Sequence, residues 1–304
     1  MSDAMISAVV AGEHIYGVAA VTTTVVEQAQ RIHGTCPTAA AALGRLLTGG
    51  ALMGCLLKDP AHRLMLQVTC KGPVQTIHVE ADGAGHVRGY VGQPVVNLPS
   101  RHGKLDVSGA VGKGVLYVIK DMGLGEPYSG AVPLVSGEIA EDLATYFLQS
   151  EQIPSAVSLG VFVRPDQTVA AAGGFLIQFH ASIAEDLTEH IEQALAATPA
   201  VTTMVQDGCT PQEMLQHALG GLPLQVLRHV TPMWACDCSR ARVSETLVAL
   251  GAQELRQMIT EQQEVPVHCE FCTTEYVFAP QELVQLLHEA LAAEQGESAE
   301  QGES

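Results

Sequence analysis

The sequence predicts an α+β protein: an N-terminal core of mixed strands and helices, a helical linker, and a small C-terminal metal-binding domain. Strand-like runs lie on both sides of a helical stretch within the first 180 residues, rather than alternating regularly with helices. Four of the eight cysteines form two tight pairs near the C-terminus, and the other four, Cys36, Cys55, Cys70 and Cys209, stand alone. The two halves also differ in charge. Residues 1–180 carry 11 Lys and Arg against 14 Asp and Glu, and residues 181–304 carry 4 against 19.

The core is read over 1–180. Glu27 to Ile32 suits a short helix. Thr38 to Leu57, rich in Ala and Leu, suits a longer buried one with Pro37 in its first turn. Strand runs follow at Arg63–Cys70, Thr76–Ala81 and His86–Val91, broken by Lys71-Gly72-Pro73 and Asp82-Gly83. Val115–Ile119 and Gly130–Val135 bracket the turn at Gly123-Leu124-Gly125. A helix from Glu138 to Leu148 and strands at Ala156–Val163 and Val169–Phe179 complete the domain.

Residues 181–230 read as a weakly anchored helical linker. Ile183, Leu187, Ile191 and Leu195 recur every four residues as a narrow apolar stripe. Thr210-Pro211-Gln212-Glu213 is a capping box with proline at the first helical position, and Gly220-Gly221 would stop that helix. Residues 231–293 hold the paired cysteines, with Ser239 placed to cap a helix, a short hairpin over Val265–Phe278 and a closing helix over Pro280–Leu291. The tail at 294–304 repeats Glu-Gln-Gly-Glu-Ser and is expected to be disordered.

Cys236-Asp237-Cys238 and Cys269-Glu270-Phe271-Cys272 carry the chemistry. A short Cys pair offers two sulfurs to one ion, and two pairs complete the tetrahedral thiolate shell that zinc favours, so one Zn2+ is expected on Cys236, Cys238, Cys269 and Cys272. His268 and His229 are expected outside that shell, with His268 placed to tune its neighbouring thiolate. A purely structural zinc is the commonest role of such a site. Two features favour a redox role: a ring as small as the CxC disulfide is strained and easily reduced again, and each pair is able to close on itself. Losing the metal would remove folding free energy, on the order of 10 kcal/mol for small zinc modules.

Other classes fit less well. So few cations in the cysteine-bearing half argue against nucleic acid, and no run of apolar residues is long enough to span a membrane. The N-terminus lacks the pattern of a secretory signal, so a cytoplasmic location is expected. Gly83-Ala84-Gly85 and Gly123-Leu124-Gly125 lack the context of phosphate loops and read as hairpin turns. The lone cysteines read as small apolar residues, and Glu141-Asp142 and Glu185-Asp186 as solvated helix starts. No catalytic constellation is expected.

The chain closely resembles the thirty-three-kilodalton heat-shock chaperone family of bacterial redox-regulated holdases. The resemblance rests on the two cysteine pairs, on Glu141-Asp142 through Tyr146-Phe147 to Ser150-Glu151-Gln152-Ile153-Pro154, and on Ala171-Ala172-Gly173-Gly174. It implies an ATP-independent holdase, inactive when reduced and zinc-bound. Oxidation would then form disulfides Cys236–Cys238 and Cys269–Cys272, release the metal, unfold the linker and expose a surface for unfolding client proteins on a homodimer. The alternatives are a thiol–disulfide oxidoreductase and an interaction domain with a structural zinc.

Overall fold

A computed structural model describes residues 2–300, apart from 102, 124, 181–182 and 262–263, with side chains described up to 294. The chain divides into two units, Met1–Ala235 and Cys236–Ser304. The first begins with strands β1 (Ala4–Val10) and β2 (Ile15–Val21) and helices α1 (Thr23–His33) and α2 (Pro37–Gly54). Strands β3 (Arg63–Cys70), β4 (Thr76–Asp82) and β5 (His86–Val91) follow, then α3 (Val107–Val111), β6 (Gly114–Asp121) and β7 (Tyr128–Pro133). Next come α4 (Ala140–Tyr146), continued by a π turn (Phe147–Glu151), and the pair β8 (Ser155–Val163) and β9 (Val169–Phe179). Helices α5 (Glu185–Ala197), α6 (Val201–Gln206) and α7 (Pro211–Ala218) and strands β10 (Leu224–Val230) and β11 (Met233–Trp234) close the unit.

Two sheets result, ordered β10-β1-β2-β9-β8 and β11-β5-β4-β3-β6-β7. Neighbours pair antiparallel except β11 on β5, which is parallel. Helix α2 lies between the sheets, packed on β8 and β9 of one and β4 and β5 of the other. Its sequence, PTAAAALGRLLTGGALMG, is apolar or small all round, as burial on every side requires, and only Pro37 and Arg45 are partly exposed. Its glycines permit the close approach: a β-carbon on Gly50 would lie 2.7 Å from Val79 Cγ1 of the second sheet. The outer face of the first sheet carries a separate core in which Ile6, Val10, Ile15, Phe175 and Ile177 meet Val201, Met204, Met214 and Leu215 of α6 and α7.

The second unit contains α8 (Arg240–Ala249), α9 (Ala252–Glu261), the hairpin β12 (Val265–His268) and β13 (Glu275–Phe278), and α10 (Pro280–Glu300). Leu247, Leu255, Val265, Phe278 and Leu283 form its small core. Arg240 lies over the Phe278 ring, 4.4 Å from its centroid, and donates to the Val277 carbonyl and the Glu282 carboxylate, each at 2.7 Å. No helix among the described residues is long and apolar enough to cross a membrane.

Several expectations change. The segment expected as a helical linker, 181–230, ends in a strand: Leu224, Val226, Arg228 and Val230 alternate with exposed residues, and β10 pairs with the free edge of β1. The tail expected to be disordered from 294 is helical to Glu300, because Ala, Glu and Gln are strong helix formers that extend α10; residues 301–304 lie outside the described residues. Asp142 is not solvated. It is 1% exposed, and its carboxylate accepts from the backbone N–H groups of Val135, Ser136, Gly137 and Ile139 at 2.7–3.4 Å. Glu141, Glu185 and Asp186 are exposed as read. The Gly83–Gly85 stretch is the turn between β4 and β5. Gly123 and Gly125, both at positive φ, lie between β6 and β7, and Leu124 lies outside the described residues.

Candidate metal centre

The first cysteine pair sits on a stretch without regular structure between β11 and α8. Ser239 ends it: its side chain accepts from the Arg242 N–H and caps α8, so Cys238 is fixed one residue before a helix start. Arg242 in turn forms an ion pair with Asp237 between the two cysteines. The second pair occupies the tip of the β12–β13 hairpin. There Cys269 N–H donates to the Thr274 carbonyl at 2.9 Å and Thr273 N–H to the Cys269 carbonyl at 2.8 Å, with Thr273 at φ 59° closing the turn.

These two elements bring all four sulfurs within 4.8 Å of one another. Cys236 Sγ lies 3.7 Å from Cys269 Sγ, and Cys238 Sγ lies 3.3 Å from Cys272 Sγ. No disulfide joins any two of them. A tetrahedral ion with metal–sulfur bonds of about 2.3 Å needs sulfur separations of roughly 3.8 Å, so the donor set fits a thiolate-bound metal ion.

Electrostatics point the same way. Burial pushes the Cys236 thiol up to about 12 and raises Cys269. Burial also opposes ionisation of Cys272, but the Thr274 hydroxyl and N–H and the neighbouring thiols outweigh it and hold that group down at about 6. A cluster this crowded holds few thiolates unless a cation balances them.

Two neighbours of the sulfurs were not foreseen. Tyr276 OH lies 3.2 Å from Cys238 Sγ, and Thr274 Oγ1 lies 3.1 Å from Cys272 Sγ. The signal was available: a hairpin that places Cys272 at its tip brings Thr274 and Tyr276, at alternate positions, to the same side. His268 faces Glu275 across the hairpin at 3.3 Å, and His229 lies in β10 of the other unit; neither belongs to the four-sulfur cluster. Cys36 precedes α2, Cys55 is buried at its end, and Cys70 and Cys209 are partly buried. Burial raises the thiols of Cys55, Cys70 and Cys209, the last helped by Glu213 and Asp207, as befits unreactive side chains.

A two-sheet unit followed by a small unit bearing four clustered cysteines defines a protein with a module that could hold a metal ion. The family model described as Hsp33 protein matches residues 3–279, and the chain belongs to that family. A 33 kDa chaperonin of Lachnoclostridium phytofermentans is 45% identical over 288 residues, covering 94% of this chain and 99% of its own length. One from Geobacter sulfurreducens is 47% identical over 287 residues, covering 94% and 95%. The crystal structure of a 33 kDa chaperonin (heat shock protein 33 homolog) from Thermotoga maritima matches with a TM-score of 0.87 at 36% identity, covering 96% of this chain and 100% of that one. Family membership supports a chaperone role.

Proposed function

We propose that this chain is an ATP-independent holdase gated by oxidation of its four-cysteine centre. The observation that carries the reading is the convergence of Cys236, Cys238, Cys269 and Cys272 within 4.8 Å in a member of a chaperone family. Zinc bound there would supply a cation that keeps four sulfurs deprotonated and ties the CxC segment to the hairpin tip. The cysteines do the rest. A peroxide oxidises one sulfur to the sulfenic acid with loss of water or hydroxide. The paired thiolate then attacks that sulfur and expels the second oxygen as water, so each disulfide takes two electrons to the oxidant. The pairs assigned are Cys236–Cys238 and Cys269–Cys272, as the family resemblance implies.

The linker supplies the readout. Helices α5, α6 and α7 have 13, 6 and 8 residues, short enough that they depend on packing to persist. Only Ile191 of α5 is fully buried, and Met204, Met214 and Leu215 carry most of the contact from α6 and α7. Their departure would bare the apolar face of Ile6, Val10, Ile15, Phe175 and Ile177, a patch suited to exposed apolar segments of unfolding clients, with dimerisation of the opened form. Location in the cytoplasm, where thiols are kept reduced, completes the reading.

Replacing Cys269 and Cys272 with serine tests it. The double variant should lose stoichiometric zinc and show client holding that no longer responds to peroxide. Normal peroxide-gated holding in that variant would overturn the assignment.

A further inference from the structure

Strand β8 forms one edge of the first sheet, and its sequence, SAVSLGVFV, contains no charge and no proline across nine residues. Proteins normally guard such edges with charged residues, proline or covering segments. The opposite edge, β10, carries Arg228 and His229, and the edge strand β7 of the second sheet ends in Pro133. The backbone groups of Ser158–Val163 that face away from β9 have no hydrogen-bond partner among the described residues.

That edge opens into a groove of about 680 Å³. All seven residues from Ser158 to Arg164 line it, from both faces of the strand, so the strand's edge forms its floor. One wall is Pro37, Ala41 and Arg45 of α2, on the face where Val161 and Val163 enter the core between the sheets. The other is Val201 and Thr202 of α6, against which Gly160 packs so tightly that a β-carbon there would lie 2.9 Å from Thr202 Cγ2. Arg45, Lys104 and Arg164 line the groove, and among its described lining residues none is acidic. Part of Arg45's charge is taken up by Glu138. Phe162 is 40% exposed at the rim.

We propose that this groove binds an extended polypeptide segment as an added strand on β8, with apolar side chains against Phe162 and carboxylates met by Lys104, Arg164 and Arg45. Main-chain hydrogen bonds along a free edge give sequence-tolerant affinity, and the cations favour segments bearing Asp or Glu. The six strand residues Ser158–Val163 at about 3.3 Å each present a floor of roughly 20 Å, long enough for a hexapeptide. The groove, walled by α6, is intact in the reduced protein, so it is a peptide site separate from the client face that oxidation is proposed to bare; that separation rests on the holdase reading, and the edge and the groove do not.

The probe is a synthetic nonapeptide of alternating valine and threonine with aspartate at both ends, added to the full-length, reduced, zinc-loaded protein. A second version carries N-methyl groups on alternate amides, which leaves its side chains in place and blocks strand pairing. Binding is read by fluorescence anisotropy and located by hydrogen exchange. The unmethylated peptide should bind and slow exchange over Ser155–Arg164. N-methylation, Phe162→Lys, and Lys104→Glu combined with Arg164→Glu should each weaken binding at least tenfold, with unchanged circular dichroism. Absence of binding, equal affinity for the N-methylated peptide, protection on β7 or β10, or protection of β8 by self-association without peptide would each overturn the proposal. A silent β8 with oxidant-gated client holding intact removes this inference alone. Peptide addition to β8 in a protein that holds no clients when oxidised removes the holdase reading and leaves the groove.

Discussion

Leu215 of α7 lies directly over Gly17 of β2: a β-carbon on Gly17 would come within 3.1 Å of Leu215 Cδ2 and 3.3 Å of Leu215 Cδ1. A bare glycine in mid-strand is the seat for a fully buried leucine of the linker, and it puts the anchor of α7 in one contact. Gly17→Val keeps a good strand former in β2 but forces that leucine away, at about 1–3 kcal/mol. Leu215→Ala removes the anchor from the other side at about 2–5 kcal/mol. Both variants should exchange the amides of Gln212–Ala218 faster while reduced and hold clients at lower peroxide. Unchanged exchange in both would contradict the proposed linker.

Asp142 should matter to the first unit and not to the metal. Its carboxylate collects four backbone N–H groups and holds Ile139 at φ 71°, a conformation that a β-branched residue adopts only under constraint. Asp142→Ala should therefore destabilise residues 1–235 by about 3 kcal/mol, with Asp142→Asn intermediate. Calorimetry should show a lower melting temperature at unchanged zinc stoichiometry.

Metal removal should act on the other unit. Among the described residues its buried core is eight side chains, two of them alanine, which is little for a chain segment of this size. Chelation of the reduced protein should collapse the amide dispersion of residues 236–294 while the sheets of the first unit keep theirs. A second unit that stays folded without metal would show that zinc is not its keystone.

Disulfide connectivity is a sharper test than disulfide content. Close sulfur approaches run between the two pairs, 3.7 Å for Cys236 with Cys269 and 3.3 Å for Cys238 with Cys272, as well as within them, so proximity in the reduced cluster does not by itself dictate the product. Peptide mapping by mass spectrometry after peroxide treatment should recover Cys236–Cys238 and Cys269–Cys272. A dominant Cys238–Cys272 link would contradict the assignment and leave the unit stapled instead of opened.

Much of this was legible in the sequence where the pattern is local. β3, β5 and β9 fall on Arg63–Cys70, His86–Val91 and Val169–Phe179 as read, because turn residues bound each run. The Thr210 and Ser239 caps hold because a side chain three residues from its partner needs nothing else. Strands β1, β2 and β10 went unread. AMISAVV and IYGVAAV are buried on both faces and do not alternate, so only their pairing with distant β9 and β10 defines them. Asp142 looked like a solvated helix start because its partners, Val135 to Gly137, are placed by β7 and not by the helix. At the metal centre, spacing brought the four cysteines together, while the roles of Tyr276 and Thr274 needed the hairpin.

The central claim is that oxidation of the four cysteines, loss of metal and client holding are one event. The direct measurement treats the zinc-loaded protein with peroxide at raised temperature, following zinc release with a chromogenic chelator and suppression of client aggregation by light scattering in the same sample. The account predicts that the two rise together, and that insulin-reductase turnover is absent. Zinc retained with unchanged client binding, or zinc released without any gain in holding, would contradict it.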